Sequence, residues 1–350
     1  MDPIATDASS VGAAVELTTV ADDTATFHLR GPDGLVVVDH VEGLEPDRPH
    51  ERHGTSFETL ARPSGPLRCR IGTVNDIHFG EIEAGRIDDR TDGPIMRAPA
   101  GTEPYPETMN RAVVAEMAAA GLDRVIVKGD LTTSASTEEF AAFEATYRAA
   151  FDGHLDVVRG NHDAVEGRTA YAGDQWIDVP GAAVALLDTV IPDAPSGTLT
   201  AAQLDWLDAG AAASTVPVIV MGHHQQWVDG ERNPEYFGIE PDASDALSAV
   251  LARRPAIVAY TAGHTHRHRV RGVAGGVPSI EVGCVKDFPG TWAEYRIYDG
   301  GILQIVHRIS APDALAWSES CRGLYADFGV DYASYALGRL SDRCFAIPFR

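Results

Sequence analysis

From residue 68 onward the chain alternates short apolar runs with stretches that carry helix signals, and this alternation is the strongest constraint on its fold. The runs RCRIGTV, DRVIVKGD, LDVVRGN, AAVALLD, VPVIVMG and PAIVAYTAG have the length of buried strands. Pro106 and Gly121 bracket one predicted helix, and capping boxes that begin at Ser136 and Thr200 open two more. The later stretch WAEYRIYDGGILQIVHRI predicts a β-hairpin. Strands that alternate with helices predict an α/β domain with a largely parallel sheet covered on both faces.

The segment before this domain has a different sequence pattern. Residues 14–62 contain the short β-type runs AVELTTV, TATFHL, GLVVVDHV and TSFETL, which are separated by turn signals. They predict a small antiparallel, sandwich-like unit, and RPSGP is a plausible linker. We therefore expect three segments: a small β-rich domain over 1–65, the α/β domain over 66–310, and an extension over 311–350 whose aromatic residues favour packing against the α/β domain.

Composition excludes several classes of function. No run reaches the roughly 18 consecutive apolar residues that would span a bilayer, so we expect no membrane partner. A formal net charge of −23 disfavours binding to nucleic-acid polymers. The N-terminus lacks the basic region of a secretory signal peptide, which favours a cytoplasmic protein. The four cysteines are expected to be buried, reduced thiols, although a Cys321–Cys344 bridge remains open. The sequence leaves the oligomeric state undetermined.

Polar side chains follow five of the apolar runs, at the point where each strand should end. They are Asp76 and His78, then Asp130, then Asn161, His162 and Asp163, then His223 and His224, and finally His264 and His266. In four cases a glycine comes just before the polar residue, which permits a sharp turn and close approach of a ligand. Because ligands bind outside the carboxyl ends of strands in open α/β sheets, we expect these side chains to converge.

The chemistry of this set favours metal ions. It combines imidazole, carboxylate and amide groups without thiolate, which suits Zn²⁺, Fe or Mn²⁺ better than Ca²⁺ or Cu(I). The set is larger than one tetrahedral ion requires. Two divalent or trivalent ions about 3.5–4 Å apart, sharing one carboxylate, would use all of it. Asp130 is the natural bridging residue.

The motifs DIH, GDL, GNHD, GHH and GHTH, in that order, resemble those of the calcineurin-like metallophosphoesterase superfamily. The stretches GTLTAAQLDWL and VGCVKDFPGTWAEYRIY are similar to the branch that contains class III cyclic-nucleotide phosphodiesterases. The resemblance covers roughly residues 68–310. It implies a four-layer α/β/β/α sandwich, and the preceding segment resembles the fibronectin-III-like domain of some relatives.

The resemblance also implies roles for individual residues. One metal ion would take Asp76, His78, Asp130 and His266, and the other would take Asp130, Asn161, His223 and His264. His224 is the alternative to His223, because HHQQW stands where many relatives have HHPP. His162 would lie beside the ions, and Asp163 would hydrogen-bond its ring.

The stretch TAGHTHRHRV raises the question of how many of its three histidines bind metal. His264 and His266 alternate along what we expect to be an extended segment, so their side chains should share a face. His268 lies further from the strand end and is expected to be a bystander. The neighbouring arginines should point the other way, into solvent.

The resemblance implies a metal-dependent phosphoric ester hydrolase. A hydroxide that bridges the two ions would attack phosphorus in a small phosphodiester, with 3′,5′-cyclic nucleotides as one candidate class, and His162 would stabilise charge or protonate the leaving group. One alternative is a purple-acid-type phosphomonoesterase, which the absence of a tyrosine in GDLTTSAS disfavours. Another is a catalytically silent scaffold, which the complete motif set disfavours.

Two insertions, residues 81–105 and 225–242, are expected to border the substrate pocket. Both are long for connections in a compact domain, so they are either functional or ordinary surface loops. Trp227, Tyr236 and Phe237 could stack on a base or could simply pack the second loop down.

Overall fold

The structure is a computed structural model that describes residues 14–87, 90–227 and 237–349. In chain order the strands are β1 (Ala14–Val20), β2 (Thr24–Arg30), β3 (Val36–Glu42), β4 (Pro49–Arg52), β5 (Thr55–Glu58), β6 (Leu67–Val74), β7 (Glu83–Ala84), β8 (Met96–Arg97), β9 (Arg124–Lys128), β10 (Leu155–Val158), β11 (Gln175–Val179), β12 (Ala182–Leu187), β13 (Val218–Gly222), β14 (Ile257–Ala262), β15 (Arg269–Gly272), β16 (Pro278–Glu281), β17 (Thr291–Tyr298), β18 (Gly301–Arg308) and β19 (Phe345–Pro348). The helices are α1 (Tyr105–Ala120), α2 (Thr137–Phe143), α3 (Ala149–Phe151), α4 (Ala201–Ala213), α5 (Pro241–Arg253), α6 (Pro312–Ser320), α7 (Tyr332–Leu337) and α8 (Leu340–Arg343).

Two six-stranded sheets form the centre of the molecule. The first has the order β10-β9-β6-β17-β18-β19, and the second has the order β11-β12-β13-β14-β16-β15. In the first sheet β10, β9 and β6 are parallel, while β17 pairs antiparallel with β6 and with β18. In the second, β12, β13, β14 and β16 are parallel and the two edge strands are antiparallel. Both sheets are therefore mixed.

The sheets face each other, and each is covered by helices on its outer face. One buried cluster joins Ile71 of the first sheet to Val184 of the second. A second cluster packs α1 on the first sheet through Met109, and a third packs α4 and α5 on the second sheet through Leu207 and Leu247. The four-layer α/β/β/α arrangement is thus confirmed. The expectation of a single largely parallel sheet, covered on both faces, was wrong, because strand–helix alternation does not reveal which sheet a strand joins.

Local signals place the helix ends as the sequence predicts. Pro106 lies in the first turn of α1, and Gly121 ends the helix with a φ of 66°, a left-handed conformation that glycine adopts without strain. Ser136 accepts a hydrogen bond from the backbone N–H of Glu139 and completes a capping box at α2. Thr200 does the same at α4. These three helices therefore begin or end where their local sequence signals indicate.

Residues 14–58 form a three-stranded antiparallel sheet, β1-β2-β3, and a hairpin, β4-β5. Phe27 and Phe57 pack edge to face between them, with ring centroids 5.6 Å apart. This β-rich segment also contacts the first central sheet: the hydroxyl of Thr19 donates to the carbonyl of Val306 at 2.7 Å. The domain boundary near residue 65 stays a prediction.

The chain returns to the first sheet near its C-terminus, where β19 pairs antiparallel with β18. The four cysteines are buried free thiols, and Cys321 and Cys344 are not bridged. Across the described part of the chain, no helix is both long and apolar enough to cross a membrane.

Candidate metal centre

The polar side chains at the strand ends meet where the two central sheets come together. Three strands of the first sheet, β6, β9 and β10, and two of the second, β13 and β14, lead directly into them. We call the seven side chains that converge there the strand-end cluster: Asp76, His78, Asp130, Asn161, His223, His264 and His266. Two sheets, and not one, therefore supply the groups.

One half of the cluster gathers around Asp76. The Nε2 atom of His266 lies 3.6 Å from Oδ1 of Asp76, and Nε2 of His78 lies 3.4 Å from Oδ2 of Asp130. Candidate ligand atoms of Asp76, His78 and His266 all lie within 4.8 Å of one another, a spacing that one cation can bridge.

The other half gathers around His223. Its Nε2 atom lies 3.2 Å from Oδ1 of Asn161, 3.1 Å from Nδ1 of His264 and 3.3 Å from Oδ2 of Asp130. Asp130 consequently faces both halves, since the same oxygen approaches His78 and His223. This is the position that a bridging carboxylate would occupy.

Each imidazole of the cluster directs its second nitrogen at an acceptor outside it. Nδ1 of His223 lies 2.8 Å from the carbonyl oxygen of Lys128, and Nε2 of His264 lies 2.9 Å from that of Phe237. A proton on these second nitrogens leaves the lone pair of the other nitrogen facing the centre, as in metal sites where an outer acceptor fixes the tautomer.

Two carboxylates stand behind the other two imidazoles, and the sequence did not single them out. Oε2 of Glu81 lies 3.6 Å from Nδ1 of His78, and Oδ2 of Asp287 lies 3.9 Å from Nδ1 of His266. Glu81 follows His78 by three residues. Asp287 stands beside Lys286 between the apolar runs VGCV and FPG. Charged residues flanked in this way by apolar ones were a usable signal of buried polar groups.

The backbone at the cluster is unusual. Asp76, His78, Asp130, His264 and His266 have φ values of 52°, 44°, 50°, 69° and 52°. Such left-handed conformations are costly for residues with a side chain, and they concentrate at functional sites. The expectation that the GHTH segment is extended was therefore wrong. His264 and His266 each lie at a turn and enter different halves of the cluster.

Glycines allow the strand ends to approach closely. A Cβ atom on Gly129 would lie 2.5 Å from Nδ1 of His223, and one on Gly160 would lie 2.2 Å from Oδ1 of Asp130. Real Cβ contacts are never this short, so any larger residue would displace the cluster.

Burial and neighbouring charges set the protonation of the cluster. Burial lowers the pKa of His78 to about 4 and that of His264 to about 3, so both rings are neutral at pH 7 and offer a lone pair. Burial alone would raise the pKa of Asp130, but the facing His223 holds it well below its ordinary value. In turn Asp130 outweighs the effect of burial on His223 and raises its pKa to about 9. Without a cation, the Nε2 atom of His223 that faces Asp130 therefore carries a proton at pH 7, and a bound metal ion would displace it.

The residues present fit a pair of cations. The carboxyl groups of Asp76 and Asp130 both have lowered pKa values, despite burial, because imidazoles face them. Nε2 of His78 is buried and makes no hydrogen bond, although it faces the Oδ2 atom of Asp130. Carboxylates and imidazoles gathered in a buried site, with a nitrogen left unsatisfied, are the groups a metal ion would satisfy.

His162 lies at the edge of the cluster, with its ring centroid 4.8 Å from that of His78. Its Nδ1 atom lies 2.9 Å from the carbonyl oxygen of Thr133, and its backbone N–H donates to Oδ1 of Asp130 at 3.0 Å. The expectation that Asp163 holds the His162 ring was wrong; the Thr133 carbonyl takes that place.

Asp163 instead ties two strand ends together. Its carboxylate accepts hydrogen bonds from the backbone N–H groups of Leu131, Thr132 and Gly160 and from the Thr132 hydroxyl, at 2.7–3.0 Å. Burial, and next the nearby Asp130, raise its pKa to about 6. Its short side chain is fully occupied by the backbone that follows β9 and β10, which explains why it does not reach the His162 ring.

Two further histidines have partners of their own. Nδ1 of His224 lies 2.8 Å from the Thr189 hydroxyl, and its ring packs 4.6 Å from that of His264. Nδ1 of His268 accepts from the backbone N–H of Gly283 at 3.1 Å. His224 is within reach of the His223 half of the cluster, whereas His268 lies in the core behind it.

The arginines of the same segment do not all face solvent, so that expectation was wrong for two of them. Arg267 and Arg271 both pair with the buried carboxylate of Glu281, at 2.7 and 2.9 Å. Buried Glu281 needs these positive charges, which the alternating pattern of the segment did not reveal.

The second insertion borders the cluster through Phe237. This side chain is 40% exposed, and its ring centroid lies 5.0 Å from that of His264. The carbonyl of Trp227 accepts a hydrogen bond from the Ser244 hydroxyl at 3.0 Å. Tyr236 lies outside the described residues.

Comparisons with known proteins bear on the family and the fold of this chain. The sequence model of the family described as Calcineurin-like phosphoesterase matches residues 69–268. A Synechococcus protein named as a probable cyclic nucleotide phosphodiesterase is 28% identical over 121 residues, which cover 33% of this chain and 47% of that protein. The match therefore spans about half the length of this relative. A dimetal phosphatase from Danio rerio superposes with a TM-score of 0.54 at 16% identity, covering 70% of this chain and 98% of that one, and supports the fold alone.

Proposed function

Because the chain belongs to the calcineurin-like phosphoesterase family, we propose that it is a dinuclear metal-dependent enzyme that hydrolyses small phosphodiesters. The observation that carries this proposal is the convergence of the strand-end cluster, in which Asp130 faces two groups of imidazoles through one oxygen. A catalytically silent scaffold would have no need to keep five ligand residues in costly backbone conformations.

The proposed ligand sets follow from the two halves of the cluster. One ion is held by Asp76, His78, Asp130 and His266, and the other by Asp130, Asn161, His223 and His264. We prefer His223 to His224 because its Nε2 atom faces Asn161 and Asp130 directly. Bound ions, with Fe, Mn and Zn as the candidates, supply Lewis acidity and a nucleophile at neutral pH.

His162 is the proposed catalytic residue. With Nδ1 directed at the Thr133 carbonyl, its Nε2 atom is the one that can reach a phosphoryl oxygen or a leaving alkoxide. The half-buried ring sits at the edge of the cluster, beside His78. From there it can donate a proton or a hydrogen bond to charge that develops in the transition state.

The substrate is proposed to be a small phosphodiester, and cyclic nucleotides are the class suggested by the name of the Synechococcus relative. The net charge of −23 opposes a nucleic-acid polymer, whose phosphates would be repelled along the whole contact. Against this background a pair of cations concentrates the positive charge that attracts a small anion. Exposed Phe237, beside His264, offers an apolar surface for the remainder of such a substrate.

The test compares two chromogenic substrates on metal-stripped protein to which Mn²⁺ is added back. We expect hydrolysis of bis(p-nitrophenyl) phosphate with a higher kcat/KM than that of p-nitrophenyl phosphate, and no turnover of either before metal is added. A monoester preference would assign a phosphatase instead. If two ions bind and neither substrate nor a panel of cyclic nucleotides is hydrolysed, the scaffold alternative stands and the proposed enzyme does not.

A further inference from the structure

Helices α6 and α7 pack behind the metal centre. Two loops that carry groups of the centre are involved: the turn of residues 263–268, which holds His264 and His266, and the loop of residues 282–290, which holds Asp287. Trp317 of α6 and Tyr332 and Tyr335 of α7 contact these loops.

Asp287 is fully buried, and its two oxygens have different surroundings. Oδ1 accepts hydrogen bonds from the Tyr332 hydroxyl at 2.8 Å and from the Cys284 thiol at 3.0 Å. Oδ2 is buried and makes no hydrogen bond, and it lies 3.9 Å from Nδ1 of His266. A buried, unsatisfied carboxylate oxygen that faces an imidazole nitrogen is costly unless the two come into contact.

The opposite nitrogen of the same imidazole faces the centre. Nε2 of His266 lies 3.6 Å from Oδ1 of Asp76. The ring thus stands between two carboxylates, one inside the centre and one behind it. A carboxylate behind a metal-binding histidine fixes the ring orientation and makes its other nitrogen a stronger donor.

We propose that Asp287 is a positioning residue for His266, and that the hydroxyl of Tyr332 holds Asp287 in place for that task. This inference rests on the proposed function, because it requires that His266 bind a metal ion. The residues after 310 are then part of what defines the metal site, although the family match ends at residue 268.

Several other contacts make the same support rigid. The Tyr335 hydroxyl donates to the carbonyl of Thr265, between the two histidines, at 3.0 Å. The indole N–H of Trp317 donates to the carbonyl of Lys286, the neighbour of Asp287, at 3.1 Å. Tyr332 itself is 2% exposed and belongs to a buried cluster with Phe288. The support of Asp287 is therefore part of a buried, packed region of the protein and not a loose contact at its surface.

The alternative is that Asp287 only holds its own loop in place, through the hydrogen bonds that its Oδ1 atom accepts. Packing would require the contacts to Tyr332 and Cys284 but would leave the affinity of the centre for metal unchanged. The two roles therefore differ in what happens to metal binding when the fold is kept.

The test measures metal binding directly, by competition with a chromophoric chelator and by the visible spectrum of Co²⁺-loaded protein. D287N keeps the shape of the side chain and removes its charge, and Y332F removes only the hydroxyl. We expect D287N to weaken one of two bound ions about 10–100-fold and to change the Co²⁺ bands of one site. Y332F should show a smaller loss at the same site. Y298F, which removes a buried hydroxyl that faces Asp22, is the matched control and should bind as the wild type does.

Two results would overturn the inference. One is unchanged affinity for both ions in D287N that unfolds at the wild-type temperature. The other is an equal loss at both sites, which would indicate general loosening. If D287N does not fold, Y332F decides on the same criteria. Failure of the proposed function can be told apart from failure of this inference. In the former case the wild-type protein itself would bind fewer than two Co²⁺ ions or would hydrolyse no phosphoester.

Discussion

Substitution of Gly160 by alanine should disable the metal centre with little change in the rest of the fold. Gly160 has φ −106° and ψ −174°, which alanine adopts without strain, so the effect arises from contact alone. The added Cβ would lie 2.2 Å from Oδ1 of Asp130 and 2.3 Å from its backbone nitrogen. Because the second contact is to backbone, the strand end after β9 has to move and cannot simply rotate a side chain away.

The size of the effect follows from the distances. Ordinary van der Waals contact begins near 3.4 Å, so Asp130 must shift by about 1 Å, and a misplacement of that size costs on the order of 100-fold in rate. Overpacking of this kind destabilises a fold by about 1–3 kcal/mol, which most domains tolerate. We therefore expect a folded G160A protein with kcat/KM reduced about 100-fold and weakened binding of both metal ions, since Asp130 faces both halves of the cluster.

The assay combines three measurements: kcat/KM for bis(p-nitrophenyl) phosphate, metal content by elemental analysis, and a urea unfolding curve. Gly272 is the matched control, because a Cβ there meets nothing within 4 Å and its φ is not left-handed. G272A should match wild-type protein in all three. A G160A protein with wild-type metal content and activity would refute the steric reasoning.

Three further predictions follow from the same structure. D130A should lose both metal ions together, and elemental analysis that finds one tightly held ion would contradict a bridging role. H162A should lower kcat by about 10²–10⁴-fold with metal content unchanged; loss of metal would move His162 into the ligand set. Burial alone would raise the pKa of Glu294, but His307, Arg296 and Arg70 hold this pKa below the ordinary 4.5. The ionised carboxylate therefore stabilises the fold above that pH, and this stabilisation is lost as the pH falls further. E294Q should accordingly lose about 3–5 kcal/mol at pH 7. Its stability should also fall less steeply than that of the wild type below about pH 5 in urea titrations, and an equal slope there would disprove this.

Much of the fold could be predicted because its signals are local. Ser136 and Thr200 cap their helices with their own side chains, and Gly121 ends α1 through its own backbone. The pairing of strands is not local. The sequence separates β6 from β17 by most of the domain, and nothing in either run indicates that they pair antiparallel. The division into two sheets therefore came from resemblance and not from the strand pattern.

The same distinction applies to the site. The residues of the strand-end cluster could be found because each one follows an apolar run and sits at a strand end. Asp287 and Glu81 could not be assigned in this way, because their role depends on which imidazole nitrogen they face in three dimensions. Asp163 was misassigned for the same reason: its sequence neighbour is His162, but the backbone after β9 lies closer to its carboxylate.

The pairing of β6 with β17 also governs when the centre can form during synthesis. Thr73 and Ala293 are partners in that pairing, although 220 residues separate them. At about 5–20 residues per second, roughly 10–40 s pass on the ribosome before the second strand follows the first. Throughout that interval one edge of β6 has no partner, and an unpaired edge is a template for association with other chains. The strand that delivers Asp76 is therefore an early candidate for chaperone protection, and the cluster stays incomplete until His264 and His266 emerge with the last third of the chain.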